Sequence, residues 1–270
     1  PMERGFCRER ADGVEFLTIP AFEKAGFRAV FSTRIGGVSE GGLSSLNLGL
    51  SRGEPAERTR ENYRRLCAAA GLEEASLVMA AQTHTANVRR VFFADRGEGL
   101  LRREFADVDG LATDERGVTL VTFHADCTPI FLADPRTRAM ALLHAGWRGT
   151  AAGMAQAGVD FLTRTFGARP QELLAAIGPS AGGCCYEVSD EVAQALQKKG
   201  GACCRPGRPG HQMADLWEAN RRQLLDAGVR EENLTICGEC TVCCPELYYS
   251  HRVQGADRGS MAAFLTRRDV

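Results

Sequence analysis

An α/β fold, one domain built around a mixed β-sheet with flanking helices, follows from two features of this 270-residue chain. Short apolar runs bounded by glycine and polar turns recur through its first half, and longer stretches with helical spacing of apolar residues lie between and after them. A segregated α+β arrangement satisfies the same pattern. The length and the 44% hydrophobic content suffice for a substantial core near the upper size of a single domain. Residues 1–270 are therefore read as one domain.

The strands are read at Arg28 to Ser32, Leu77 to Ala81, Val88 to Phe93, Val118 to His124 and Ala139 to Leu143. Their apolar residues are nearly continuous rather than alternating, as expected for strands covered on both faces. Helical patterns occupy Pro55 to Ala70, Thr150 to Phe166, Ser189 to Lys199 and Ala214 to Ala227. Ser189 precedes Asp190 and Glu191, as an N-cap should, and Gly200 and Gly201 supply the stop; Gly71 and Gly228 end their helices in the same way. The segment Cys204 to Gly210 (CRPGRPG) reads as an exposed loop, since two prolines and two glycines in seven residues sustain neither ladder nor helix. There is no internal repeat, heptad seam or low-complexity tract.

Lys and Arg number 33 against 34 for Asp and Glu, which gives no electrostatic reason to expect a polyanion. No apolar run approaches the roughly 18 residues of a membrane span, and PMERGFCRER lacks a signal-peptide core. Nucleic acid and membrane are thus not expected partners, and the cytoplasm is the expected location. Eleven cysteines, an odd number in an enzyme-sized chain, read mostly as reduced thiols.

Two apolar runs lead straight into reactive residues. GVTLVTF runs into His124-Ala125-Asp126-Cys127, and AMALL runs into His144-Ala145-Gly146-Trp147-Arg148-Gly149. If the two strands are close in one sheet, Cys127 and His144 emerge at a common end, and His84, after Leu77 to Ala81, is a third candidate. Two neutral imidazoles and a thiolate suit zinc and leave a fourth position for water or substrate. Spacing alone leaves each histidine equally a satisfied polar residue and Cys127 a buried small hydrophobe. Gly146, Arg148, Gly149 and Thr150 directly precede the helix from Thr150, where free amides favour an anion; the same glycines would serve simply to turn the chain.

Ser32-Thr33-Arg34-Ile35-Gly36-Gly37-Val38-Ser39, continuing to Leu46-Asn47-Leu48-Gly49, is a polar loop long enough to be functional or simply flexible. Cys237, Cys240, Cys243 and Cys244-Pro245 echo a ferredoxin run, but the last spacing fails. A structural zinc on Cys237, Cys240 and Cys243 lacks an evident fourth ligand. The doublets Cys184-Cys185 and Cys203-Cys204 read as core or loop thiols.

Taken together, STRIGGVS, NLGL, QTHTANV, DVDGLAT, ADCTPIFLAD, HAGWRGT, AIGPSAGGCCYEV, DLWEANR and CTVCCPELYYSHR resemble the laccase-domain family, also labelled polyphenol oxidase or peptidoglycan editing factor. The resemblance runs from about Phe31 to Leu265. It implies zinc held by His84, Cys127 and His144, an α/β domain around a mixed sheet, and activity on purine nucleosides. The implied reactions are phosphorolysis of adenosine, inosine, guanosine or methylthioadenosine, and hydrolytic deamination of adenosine. The chain departs from the family at His124, where Thr or Phe is frequent and where a histidine adds an extra ligand or a hydrogen-bond partner. It also departs at Ser180, in place of a frequent cysteine, and at Ser260, in place of an arginine.

In deamination, zinc would acidify a water for attack at C6 of adenine. In phosphorolysis, Arg34, Arg148 and the helix start would orient the attacking phosphate. Glu187 is the candidate proton shuttle and Asn47 the candidate substrate-positioning residue, against the plainer roles of helix capping and turn holding. Competing functions are a copper-dependent polyphenol oxidase, a peptidoglycan-precursor editing hydrolase and a non-catalytic zinc scaffold. Five histidines are few for a multicopper enzyme.

Overall fold

The structure, a computed structural model, describes residues 5–50 and 52–268. Two six-stranded mixed sheets carry the fold in place of the single sheet expected. The first runs in the order Cys7–Ala11, Val14–Thr18, Phe27–Ser32, Met261–Arg267, Thr119–His124, Leu77–Met79, antiparallel except at the last pair. The second runs Leu234–Ile236, Leu174–Ile177, Thr128–Ala133, Met140–Ala145, Gly110–Thr113, Val88–Arg90, antiparallel between its two parallel outer pairs. A small third sheet joins Glu187–Ser189, His211–Ala214 and Cys204–Pro206.

The two large sheets pack face to face, and side-chain parity shows it. Leu120 and Leu265 of the first sheet share a buried cluster with Phe131, Met140 and Leu142 of the second. The residues between them point outward: Val121, Ala262 and Phe264 meet the helix Ala56–Ala70, and Ile130, Leu132 and Leu143 meet the helix Met154–Phe166. With helices on both outer faces, each inner strand is covered on both sides. This is why the runs were continuous rather than alternating. In Ala56–Ala70 the buried Tyr63, Leu66, Cys67 and Ala70 form one stripe, and Gly71 at φ 66° ends it.

Local boundaries follow the sequence closely. Ser189 caps Asp190–Gly200 by accepting from the Val192 amide, and Asp215 caps Leu216–Asp226 in the same way. Three expectations are corrected. The helix read from Thr150 is two helices, Trp147–Ala152 and Met154–Phe166, broken at Gly153, whose φ of 92° is left-handed. The loop read at Cys204 to Gly210 begins as the edge strand Cys204–Pro206, a position where proline is tolerated because the outer amide needs no partner. Val88 to Phe93 likewise shortens to Val88–Arg90.

The strand readings missed Thr128–Ala133, Leu174–Ile177 and Met261–Arg267 at the centre of the sheets, among others. Among the described residues no helix is long and apolar enough to cross a membrane.

Candidate active site

Thr119–His124 and Met140–Ala145 lie in opposite sheets, not side by side in one. Even-numbered residues of both strands face the space between the sheets, so His124 and His144 meet across the sandwich, ring centroids 5.4 Å apart. Residues 125–127 carry the chain from the first sheet to the second, and Asp126 turns it with a φ of 83°. A left-handed backbone is costly for a residue with a side chain and is held where the surroundings over-determine it. Here Asp126 accepts from Thr241 Oγ1 at 2.7 Å and from the Arg252 amide at 2.8 Å. The crossover delivers Cys127 beside His144.

His84 completes the group: donor atoms of His84, Cys127 and His144 all lie within 4.8 Å of one another. The three grade from exposed His84 through half-buried Cys127 to buried His144. What assembles them is Asp109, a residue the sequence reading passed over within DVDGLAT. It is wholly buried, and the His144 amide donates to its carbonyl, extending the strand ladder by one residue. One carboxylate oxygen accepts from His144 Nδ1 at 2.8 Å and from the His84 amide at 3.0 Å. The other accepts from the Thr83 and Thr85 amides and the Thr85 hydroxyl.

A single carboxylate thus folds the His84 turn, whose φ is 68°, and orients His144 with Nε2 left for a ligand. Burial pushes the Asp109 carboxyl up, but His144 and the donors of Thr85 outweigh it and hold it at about 2. Burial likewise raises the Cys127 thiol, and His144 and His84 together bring it down to about 6. A thiolate at neutral pH is the form that binds metal.

His124 does not join the group. Its Nδ1 donates to the Cys127 carbonyl at 3.0 Å, so its Nε2, 2.7 Å from Thr122 Oγ1, accepts from that hydroxyl. Burial drives its pKa well below the ordinary value, which keeps this neutral form. Both ring nitrogens are spent supporting the turn that carries Cys127.

Gly146 also has a reason to be glycine. A Cβ there would lie 2.8 Å from Cys127 Sγ and 3.2 Å from His84 Cδ2, inside the ligand group.

Two cavities open on these residues. One, of about 230 Å³, is lined by Arg52, Gln82, Phe123, Arg258 and Ser260 and reaches His84, Cys127 and His144. Gln82 clips Phe123 in place, donating to its carbonyl and accepting from its amide. The other, of about 400 Å³, is lined by Trp147, Arg148, Tyr186, His251 and Arg252 and reaches His84 and Cys127. Arg258 borders both. Its Nη1 donates to the Gly259 carbonyl and to Ser260 Oγ, while its buried Nε finds no partner among the described residues. Burial, with Arg52 nearby, lowers its pKa to about 10, still a cation at neutral pH.

The remaining sequence candidates divide. Arg148 is brought to the second cavity, stacked on Trp147 with its guanidinium carbon 4.4 Å from the ring centroid. Arg34 is not: it donates to the Ser44 and Pro245 carbonyls and stacks on Tyr249, a brace for the loop. Asn47 is wholly buried and knots the chain, accepting from the Gly49 and Ser260 amides and donating to Glu54. Glu187 is paired to Arg208 at 2.6 Å, which holds its carboxyl below the ordinary range and unsuits it to shuttle protons. The helix start is displaced too. Gly146 caps Trp147–Ala152, so Gly149 and Thr150 are interior and buried; Arg52, Arg148 and Arg258 line the cavities.

Residues 28–268 match the family described as multi-copper polyphenol oxidoreductase laccase. This chain belongs to that laccase family. Purine nucleoside phosphorylase YlmD of Geobacillus stearothermophilus is 39% identical over 91% of this chain and 92% of its own length. Adenosine deaminase RL5, from an unknown prokaryotic organism, is 34% identical over 88% of this chain and 93% of its own. The crystal structure of the Geobacillus YlmD covers 98% of this chain and 100% of its own with a TM-score of 0.91 at 37% identity. Within the family, the departures at Ser180 and Ser260 fall outside the ligand group. Ser180 Oγ accepts from Thr128 and Trp217, and Ser260 lines the first cavity.

Proposed function

We propose that this chain is a metal-dependent purine nucleoside enzyme that phosphorolyses adenosine, inosine, guanosine and methylthioadenosine and deaminates adenosine, with zinc at His84, Cys127 and His144. The observation that carries this is the convergence of two imidazoles and a thiolate beside a buried arginine with an unsatisfied donor. The names of the relatives support the substrate class.

The donor set fits zinc. His144 is locked by Asp109 in the tautomer that leaves Nε2 free, Cys127 ionises readily, and Gly146 leaves room between the sulfur and His84. Copper is less supported, because no methionine lines either cavity and the other group of metal donors among the described residues is all cysteine. Zinc bound here would supply Lewis acidity and an acidified water.

The chain's own residues do the rest. Arg258 and Arg52, which line the first cavity, offer an anion-binding pair, and Arg148, which lines the second, a third cation. Phe123 in the first cavity, and Tyr186 with Trp147 in the second, offer aromatic faces to a purine. His251 takes the role expected of Glu187: it lines the second cavity, its Nδ1 donates to the Gly255 carbonyl, and Nε2 is left to carry a proton. Cytoplasmic placement is part of the same proposal.

The test is to supply zinc-loaded protein with adenosine, with and without phosphate, and separate the products. Adenine appearing only with phosphate, and inosine in either case, both lost in Cys127→Ala, would support the reading; no turnover under either condition would sink it. Arg258→Gln is expected to raise the KM for phosphate about tenfold or more, the scale of a lost charge-assisted hydrogen bond of about 1.5–3 kcal/mol. Deamination should change much less. Equal losses in both reactions would show that Arg258 does not select the anion.

A further inference from the structure

Away from the His84 group, a second set of metal donors gathers where neither an activity nor a fold requirement accounts for it. Sγ atoms of Cys184, Cys185, Cys240 and Cys243 all lie within 4.8 Å of one another. The sequence reads Cys184 and Cys185 as core or loop thiols, and the zinc site it weighs and disfavours, on Cys237, Cys240 and Cys243, lacks a fourth ligand. The folded chain exchanges them: Cys237 stays outside the group and the doublet enters it. We propose that these four cysteines hold one tetrahedrally coordinated zinc ion, a structural site distinct from the catalytic one.

Three observations carry this. First, the spacing suits a single ion. Cys185 and Cys243 sulfurs are 3.3 Å apart and Cys184 and Cys243 sulfurs 3.6 Å apart. A disulfide needs about 2.05 Å, whereas four sulfurs at about 2.3 Å from one zinc lie about 3.8 Å from each other. An iron–sulfur cluster distributes its four thiolates over two or four irons and so spreads the sulfurs more widely.

Second, Cys240-Thr241-Val242-Cys243 forms a C-x-x-C knuckle. The Cys240 sulfur accepts from the Gly182 amide at 3.2 Å. A sulfur that accepts from a backbone amide is suited to carry negative charge. Four thiolates this close repel one another unless a cation lies among them.

Third, the position gives the ion a task. Leu174–Ile177 and Leu234–Ile236 are parallel neighbours, so the segments beyond them leave the second sheet side by side. Pairing continues from the Ser180 amide to the Glu239 carbonyl and from the Thr241 amide to the Ser180 carbonyl. One segment then supplies Cys184, Cys185 and Tyr186; the other supplies Cys240, Cys243 and, further on, Arg252. Tyr186 and Arg252 stack at 4.3 Å as a wall of the second cavity. With all four positions filled by thiolates there is no place for substrate, so the ion staples that wall.

The inference does not rest on the nucleoside reading. Its test counts zinc by elemental mass spectrometry in protein purified with reductant and zinc. The expected result is two ions per chain in the wild type and one each in Cys127→Ala and Cys243→Ser. Cobalt-substituted Cys127→Ala should keep the strong near-ultraviolet thiolate-to-cobalt absorption of a four-sulfur site. If Cys243→Ser fails to fold, the zinc count and cobalt spectrum of Cys127→Ala decide alone. A Cys127→Ala protein with no zinc and no thiolate–cobalt absorption overturns the proposal, whatever the wild type does with adenosine.

Discussion

Replacing Asp109 by alanine is expected to cost the protein both the metal proposed at His84, Cys127 and His144 and much of its stability. The carboxylate is wholly buried and accepts from the His144 ring, three successive amides and one hydroxyl. Removing one side of a buried, hydrogen-bonded charge pair typically costs about 3–5 kcal/mol, because the partner groups are left desolvated and unpaired. For a chain of this size that corresponds to a fall in Tm of roughly 10 °C. Asp109→Asn keeps the shape but presents amide hydrogens to groups that are already donors, so it should preserve more of the fold than of the metal site. Loss of such a supporting carboxylate commonly lowers metal affinity about 10–100-fold. Thermal melts beside zinc competition against a chromophoric chelator separate the two effects. Unchanged zinc affinity in Asp109→Asn would show that Asp109 only folds the turn.

Gly146→Ala should do the opposite: spare the fold and damage the site. Gly146 sits at φ −71° and ψ 180°, a backbone alanine adopts without strain. Such a change stabilises by about 0.4–1 kcal/mol through the unfolded chain. The new Cβ, however, would stand 2.8 Å from Cys127 Sγ, closer than any real Cβ contact, with His84 Cδ2 at 3.2 Å. One of the two ligands must move, and misplacement by about 1 Å costs on the order of 10²-fold in rate. The measurement is kcat and zinc content beside Tm. A protein with normal Tm, displaced zinc and about 10²-fold lower kcat is expected; full activity would mean that the cavity relaxes around the methyl and that Gly146 serves only the turn.

Local signals in the chain are legible where their cause is itself local. Ser189 caps its helix, and Gly71 and Gly228 end theirs with left-handed φ values of 66° and 98°. Errors arose where a neighbour decided. Thr150 is not a helix start, because the first helix begins at Trp147 after Gly146 and stops at Gly153. Asn47 and Arg34 look like loop residues free for substrate, yet Ser260 and Pro245, more than two hundred positions away, occupy them. Glu187 was available as an acid only until Arg208 of the third sheet's hairpin took it.

The sequence by itself determined that several strands are covered on both faces and where the helices with local caps and glycine stops end; its motifs, through the family they resemble, singled out His84, Cys127 and His144. The tertiary structure alone decided what makes them a site. Only the stacking of two sheets brings His124 and His144 into one interior. Only the ladder beyond Gly110–Thr113 sets Asp109 beside His144, and only the parallel exit of two distant strands gathers four cysteines. Propensity and capping act over a few residues and are written in any short window. Coordination, buried charge and cavity shape depend on atoms brought together from opposite ends of the chain, and folding supplies that proximity.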